Sequence, residues 1–131
     1  MGLPFAVYLV FNGNCRQAFN YYQWCLGGDL RVQTLADTPY GNEVDFEFRE
    51  AVICATLENE YIKLVGTDLS AEGRIVSGNR MSIMIECDSF THRAKLVNKL
   101  VGRNFCSLKN TDQLINVTDP YSVNWVLSVN A

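Results

Sequence analysis

The chain has 131 residues, 48% of them hydrophobic and 19% charged, with a net charge of -3. That is the size and composition of one globular domain able to bury a core without disulfide or metal staples. The charge argues against a broad nucleic-acid surface, and no apolar run nears the roughly 20 residues of a membrane-spanning helix. The opening Met-Gly-Leu-Pro puts no basic stretch ahead of an apolar core, so no export signal is expected. Five cysteines, Cys15, Cys25, Cys54, Cys87 and Cys106, include no C-x-x-C pair. An odd number without export predicts reduced thiols in a cytoplasmic protein.

Residues 5–11 are apolar and aromatic, as a strand requires. Asn12-Gly13-Asn14 stops the run, and Asn14 is placed to cap a following helix with its side chain. Cys15, Ala18, Phe19, Tyr22, Cys25 and Leu26 then recur at the spacing of one helix face. Gly27 and Gly28 supply the positive φ that ends such a helix. Strands are predicted over 30–35, 51–57 and 61–65, the last two flanking a turn at Glu58-Asn59-Glu60. The stretch 39–50 shows no regular pattern, and residues 67–79, rich in glycine, read as a linker.

The unit then recurs. Met81, Ile83, Ile85 and Cys87 alternate with Ser82, Met84 and Glu86, predicting a half-buried strand. Asp88 or Ser89 caps a helix whose stripe is Phe90, Ala94, Val97, Leu100 and Val101, with Gly102 beyond its end. Ser89 follows Asn14 by 75 residues, and Gly102 follows Gly27 by the same 75. Strands are expected over 105–108, 114–117 and 123–129, with Asp119-Pro120-Tyr121-Ser122 as the last turn. The chain therefore reads as α+β, two βαβββ modules over about 4–66 and 80–130 of a single domain. A dimeric ferredoxin-like domain is the alternative if the duplication is illusory.

Two βαβββ modules resemble the vicinal oxygen chelate (VOC) superfamily, a glyoxalase-like fold whose concave sheets surround a pocket. More narrowly, "YLVFNGNCRQAFNYYQWCLGG", "IECDS" and "TDPYSVNWVLSV" resemble the PhnB-like branch at its first-module opening, second-module start and closing Asp-x-x-Gly-Val-x-Trp segment. Ser122 stands where that branch usually has glycine, and Trp-Gly and Tyr-Gly elements are missing between Gly102 and Asp119. The resemblance implies a homodimer. It also implies a divalent metal held by His and Glu from the first and last strands of each module. Counting back from the helix caps puts those positions at or beside Val7, near Lys63, at Ser82 and at Val126, none of them His, Asp or Glu. No metal and no cofactor are therefore expected.

His92, the lone histidine, falls off the apolar stripe and reads as a solvent-facing helix residue. No spacing sets a cysteine beside it as a nucleophile. Glu43, Asp45, Glu47, Glu50, Glu58 and Glu60 read as solvated loop and hairpin charges rather than a catalytic pair. If Ile83, Ile85 and Cys87 face the helix, then Ser82, Met84 and Glu86 face the pocket, with Glu86 in water at its mouth, paired with a basic neighbour such as Lys63, or serving as a polar anchor for a ligand. Tyr40, Phe46 and Phe48 join Lys63 as pocket candidates, and so does Trp125, for which core packing is the favoured alternative. The expected role is binding of an unidentified small organic molecule. A lyase or isomerase with unusual or no metal, and sequestration of an antibiotic or toxin, are the alternatives. Neither nucleic acid nor membrane is expected as a partner.

Overall fold

The structure is a computed structural model that describes residues 3–39, 41, 43, 49–69, 75, 78, 80–101 and 114–129. The chain falls into two compact units, residues 1–76 and 77–131. The first runs β1 (Val7–Val10), α1 (Cys15–Leu26), β2 (Asp29–Thr34), a 3₁₀ turn (Leu35–Asp37), β3 (Val52–Glu58) and β4 (Lys63–Thr67). Its sheet has the order β1-β4-β3-β2, with β1 parallel to β4 and the other pairs antiparallel. The stretch that showed no regular pattern, 39–50, contributes no strand among the described residues.

The α1 stripe is as the spacing predicts: Cys15, Ala18, Phe19, Tyr22 and Cys25 are buried, and Leu26 is half-buried. Phe19 sits edge-on between Phe11 and Tyr22, at ring-centre distances of 6.0 and 5.8 Å. Gly66 of β4 lies beneath it, and a Cβ there would come within 2.3 Å of the Phe19 ring. The helix can therefore press onto β4 only because that position lacks a side chain. Gly27 and Gly28 end the helix at φ 75° and 115°. A Cβ on Gly28 would stand 2.7 Å from the Glu58 carbonyl oxygen.

The start of α1 corrects the sequence reading. Asn14 occupies the cap position but its side chain makes no capping hydrogen bond. Asp68, just past β4 and assigned by sequence to the linker, supplies the acceptor instead. Its Oδ1 accepts from the N–H groups of Gly13 (2.9 Å) and Cys15 (3.0 Å), and its Oδ2 from the N–H of Val52 (3.0 Å). One carboxylate thus serves the helix start and the first residue of β3, where a carboxylate is favoured by the helix dipole. At the other end of β3, Asn59 Oδ1 accepts from the N–H groups of Tyr61 and Ile62 and shapes the turn into β4.

The second unit has β5 (Ile83–Cys87), α2 (Phe90–Val101), β6 (Leu114–Thr118) and β7 (Asn124–Val129). Among the described residues its sheet has the order β5-β7-β6, with β5 parallel to β7 and β6 antiparallel. First strand parallel to last, last antiparallel to the one before it: the topology of the first unit recurs. The strand expected over 105–108 lies outside the described residues. Ser89 Oγ accepts from the His92 N–H (3.0 Å), and His92 Nδ1 accepts from the Asp88 N–H (3.4 Å). His92 is thus exposed and built into the helix start.

The α2 stripe departs from expectation. The buried residues are Arg93, Leu96, Val97 and Leu100, whereas Ala94 is exposed and Phe90 is 41% exposed. The Phe90 ring stands 5.1 Å from the Arg93 guanidinium carbon and helps cover it. An arginine stem packs as a hydrophobe on the buried stripe, which residue type alone conceals.

The helices begin 75 residues apart, at Cys15 and Phe90, but the helix-facing strand residues Leu9 and Ile85 are 76 apart. Three residues join Phe11 to α1 and two join Cys87 to α2, so Gly13, at φ 94°, is the extra residue of the first junction.

The closing turn explains the resemblance at residues 118–129 and its departure. Asp119 Oδ1 accepts from the N–H groups of Tyr121 (2.8 Å) and Val123 (3.1 Å), and its Oδ2 accepts from the Trp125 indole (2.8 Å). Ser122 adopts φ 68°, the left-handed conformation in which a glycine is free of steric cost.

In urea unfolding, Asp68→Ala should cost about 2–3 kcal/mol through its orphaned donors. Asn14→Ala, which removes no cap bond, should cost less than about 0.5 kcal/mol. Ser122→Gly should raise stability by about 0.5–1 kcal/mol, net of the extra freedom of glycine in the unfolded chain.

Candidate functional site

In the first unit, strand register decides what the face away from α1 carries. Val7 pairs with Leu64 and Leu9 with Gly66, and Gly66 lies under Phe19, so these residues face the helix. Val7 is therefore not a pocket position: counting from the cap fails by one because of the extra Gly13. The open face instead presents Tyr8, Lys63, Val65, Cys54, Thr56, Glu58, Asp29, Arg31 and Gln33. Two rows cross the sheet, Asp29–Glu58–Lys63 and Arg31–Thr56–Val65–Tyr8.

These rows floor a cavity of about 520 Å³ lined by Asp29, Arg31, Thr56, Glu58, Asn59, Glu60 and Lys63. Glu58 Oε2 accepts from the Leu3 N–H at 3.0 Å. Among the described residues neither Arg31 nor Lys63 pairs with a carboxylate; an exposed Arg16–Glu50 contact at 3.7 Å lies elsewhere in the unit. Of the sequence candidates, Lys63 lines this cavity. Arg31 and Thr56 carry no signal in their residue type, and Glu58 reads by sequence as a solvated hairpin charge, yet the alternation of β2 and β3 makes each an outward residue of a half-buried strand.

A second cavity, about 410 Å³, lies at the start of α1 beside Arg16, Glu50 and Asp68. The Gly13 and Cys15 amides there already donate to the Asp68 carboxylate, whose charge opposes a second anion at this helix start.

In the second unit, Ile83 pairs with Trp125 and Ile85 with Leu127, all on the helix side. Ser82, Met84 and Glu86 alternate onto the opposite face, as their spacing predicts, together with Val126, Ser128 and Asn116. Trp125 is a correction. It is fully buried on the helix side with its indole spent on Asp119, so it belongs to the core and not to a pocket wall. Tyr40, Phe46 and Phe48 lie outside the described residues.

Of the four expected metal positions, Lys63, Ser82 and Val126 face away from the helices. Among the described residues no group of three or more His, Cys, Asp or Glu is placed to hold a metal ion.

Two of the described cysteines, Cys15 and Cys87, hold thiols that burial keeps protonated. Cys15, Cys25 and Cys87 are buried, Cys54 is half-buried, and all four are free thiols. Burial, reinforced by the Asp68 carboxylate and by Cys54, pushes the Cys15 thiol up to about 12. Burial likewise raises Cys87, against the pull of the Arg93 charge.

No protein-family model matches the sequence, and no curated protein matches it. Solved structures do match. Protein PA1353 from Pseudomonas aeruginosa is similar over 98% of each chain, with a TM-score of 0.72 and 23% identity. The PhnB protein from Bacillus cereus is similar over 98% of this chain and 100% of its own, with a TM-score of 0.67 and 14% identity. A hypothetical protein, SA1046 from S. aureus, covers 98% and 94%, with a TM-score of 0.51 and 10% identity. At these identities the likeness is one of fold. Two mixed sheets, each backed by a helix and each with its first strand parallel to its last, give the α+β architecture of the VOC fold. Within that class the chain is similar in fold to a PhnB protein, matching the resemblance of its sequence motifs.

The thiol state gives a direct check. Below the unfolded thiol range, near 8.5, Cys15 is protonated in both states and favours the fold in full. Its contribution falls as pH rises toward 12, because the unfolded thiol ionises first. At pH 8, iodoacetamide followed by peptide mass spectrometry should leave Cys15 unmodified in the native protein and alkylate it in urea.

Proposed function

We propose that the chain binds a small, polar organic molecule on the open face of its sheet without the divalent metal usual for the VOC fold, and that it does so as a homodimer. The observation that carries this reading is the cavity of about 520 Å³ on the open face of the first sheet. Its volume falls in the range of small-molecule sites. Its lining differs from the usual mostly apolar wall, since five of its seven residues are charged. Such a wall favours a polar guest, because unpaired charges lose hydration under an apolar one. The absence of metal is supported by the residue types: Lys63 and Val126 on their strands and Ser82 just before β5 face away from the helices, and none is His, Asp or Glu.

Thermal-shift screening against a library of polar metabolites tests the reading. A ligand at 100 times its Kd adds about 2.7 kcal/mol, a rise in Tm on the order of 10 °C. A library that leaves Tm unchanged throughout overturns it. Protein purified without chelator should contain far less than one equivalent of divalent metal and keep its Tm in EDTA. One equivalent of metal, with a Tm that falls on chelation, overturns the metal-free part.

A further inference from the structure

We infer that the cavity of the first unit takes the oxyanion of a small carboxylate- or phosphate-bearing molecule between Arg31 and Lys63, over the Thr56 hydroxyl. This rests on the small-molecule reading above and narrows it to a chemical class.

The register sets the geometry. Arg31 lies directly across from Thr56, and Lys63 directly across from Glu58, one row along. Arg31 on β2 and Lys63 on β4 are thus two strands and two residues apart, a Cα separation of about 12 Å from ordinary sheet spacings. Both are long side chains standing on the same face, with β3 between them. That separation suits two cations closing on one group above Thr56, rather than two cations crowding each other.

Their charge state of pairing supports the same end. In a sheet, an outward Lys or Arg commonly meets a cross-strand carboxylate. Glu58 is opposite Lys63, yet the two form no ion pair, and one Glu58 oxygen is turned to the Leu3 N–H. Arg31 faces a neutral threonine. Two cations are thereby left with donor capacity toward the cavity, and the guanidinium suits a planar or tetrahedral oxyanion through paired donors.

The same rim carries Asp29, Glu58 and Glu60, so three carboxylates stand against two cations. A bare anion gains little from such a field. A molecule that also bears a hydroxyl or ammonium group gains at both ends, the oxyanion on the cations and the donor on a carboxylate. The class is therefore a hydroxy or amino acid, or a phosphorylated polyol.

Isotope-labelled full-length protein, followed by amide NMR, tests this with matched probes: malate against malamide, and glycerol 3-phosphate against glycerol. The anionic member of at least one pair should shift the Arg31, Thr56 and Lys63 amides and bind at least tenfold more tightly than its neutral partner. Its affinity should fall with added salt. It should also fall at least tenfold in Arg31→Gln and in Lys63→Gln, both of which should keep the wild-type Tm without ligand, while Arg31→Lys retains part of it. Equal binding of neutral members at these amides, or wild-type affinity in both glutamine variants, overturns the inference and leaves the small-molecule reading standing. So does a library ligand that shifts these amides while all four probes leave them unmoved. If neither library nor probes bind, both fall together.

Discussion

The Asp68 carboxylate is the constraint on which the first unit depends. It meets the backbone of three segments: the junction before α1, the first residue of β3, and its own position after β4. Each of those amides would otherwise end a helix or strand without a partner, and one charged acceptor satisfies all three. The Asp68 N–H also donates to the Val52 carbonyl, closing the connection in the other direction. Because β1 leads straight into α1, fixing that junction fixes the angle at which the helix crosses the sheet. The second unit solves its own closing problem differently, with Asp119 gathering two turn amides and the Trp125 indole.

Local pattern was legible and long-range partnership was not. The α1 stripe could be read because helical periodicity is a property of neighbours in sequence. The outward placement of Ser82, Met84 and Glu86 followed from strict alternation in the same way. The capping of α1 could not be read, since its acceptor lies 53 residues from Cys15 and sits in a stretch that composition marks as linker. Val7 was misplaced by the single residue Gly13, because a strand inverts its faces with every residue counted. Arg93 was passed over because its type signals surface, although it falls three, four and seven residues before Leu96, Val97 and Leu100 on the buried stripe of α2. Trp125 was ambiguous by type, as tryptophan serves cores and pockets alike; only the indole bond to Asp119 decides.

The candidate site shows the same division. Lys63 came from its strand position, but Arg31, Thr56 and Glu58 acquire significance only when β2, β3 and β4 are set in register. Alternation names the outward residues of each strand separately. It does not say which of them share a row, and the two rows are what put cations and carboxylates around one space. A metal site concentrates its signal in a few residue types and can be missed or found by inspection. A site made of ordinary sheet-surface residues has no such signature, and its chemistry lies in the pairing.

Gly66 does more than let α1 lie close. A missing side chain in the middle of β4 is a notch, and Phe19 is the part that fits it. Sliding β4 by two residues keeps the same face toward the helix but brings Leu64 or Asp68 under the ring, where neither has room. The pair therefore works as an index mark, letting the sheet assemble in one alignment among those that alternation alone would permit. The rows of charge on the far face inherit their order from that notch, which touches none of them.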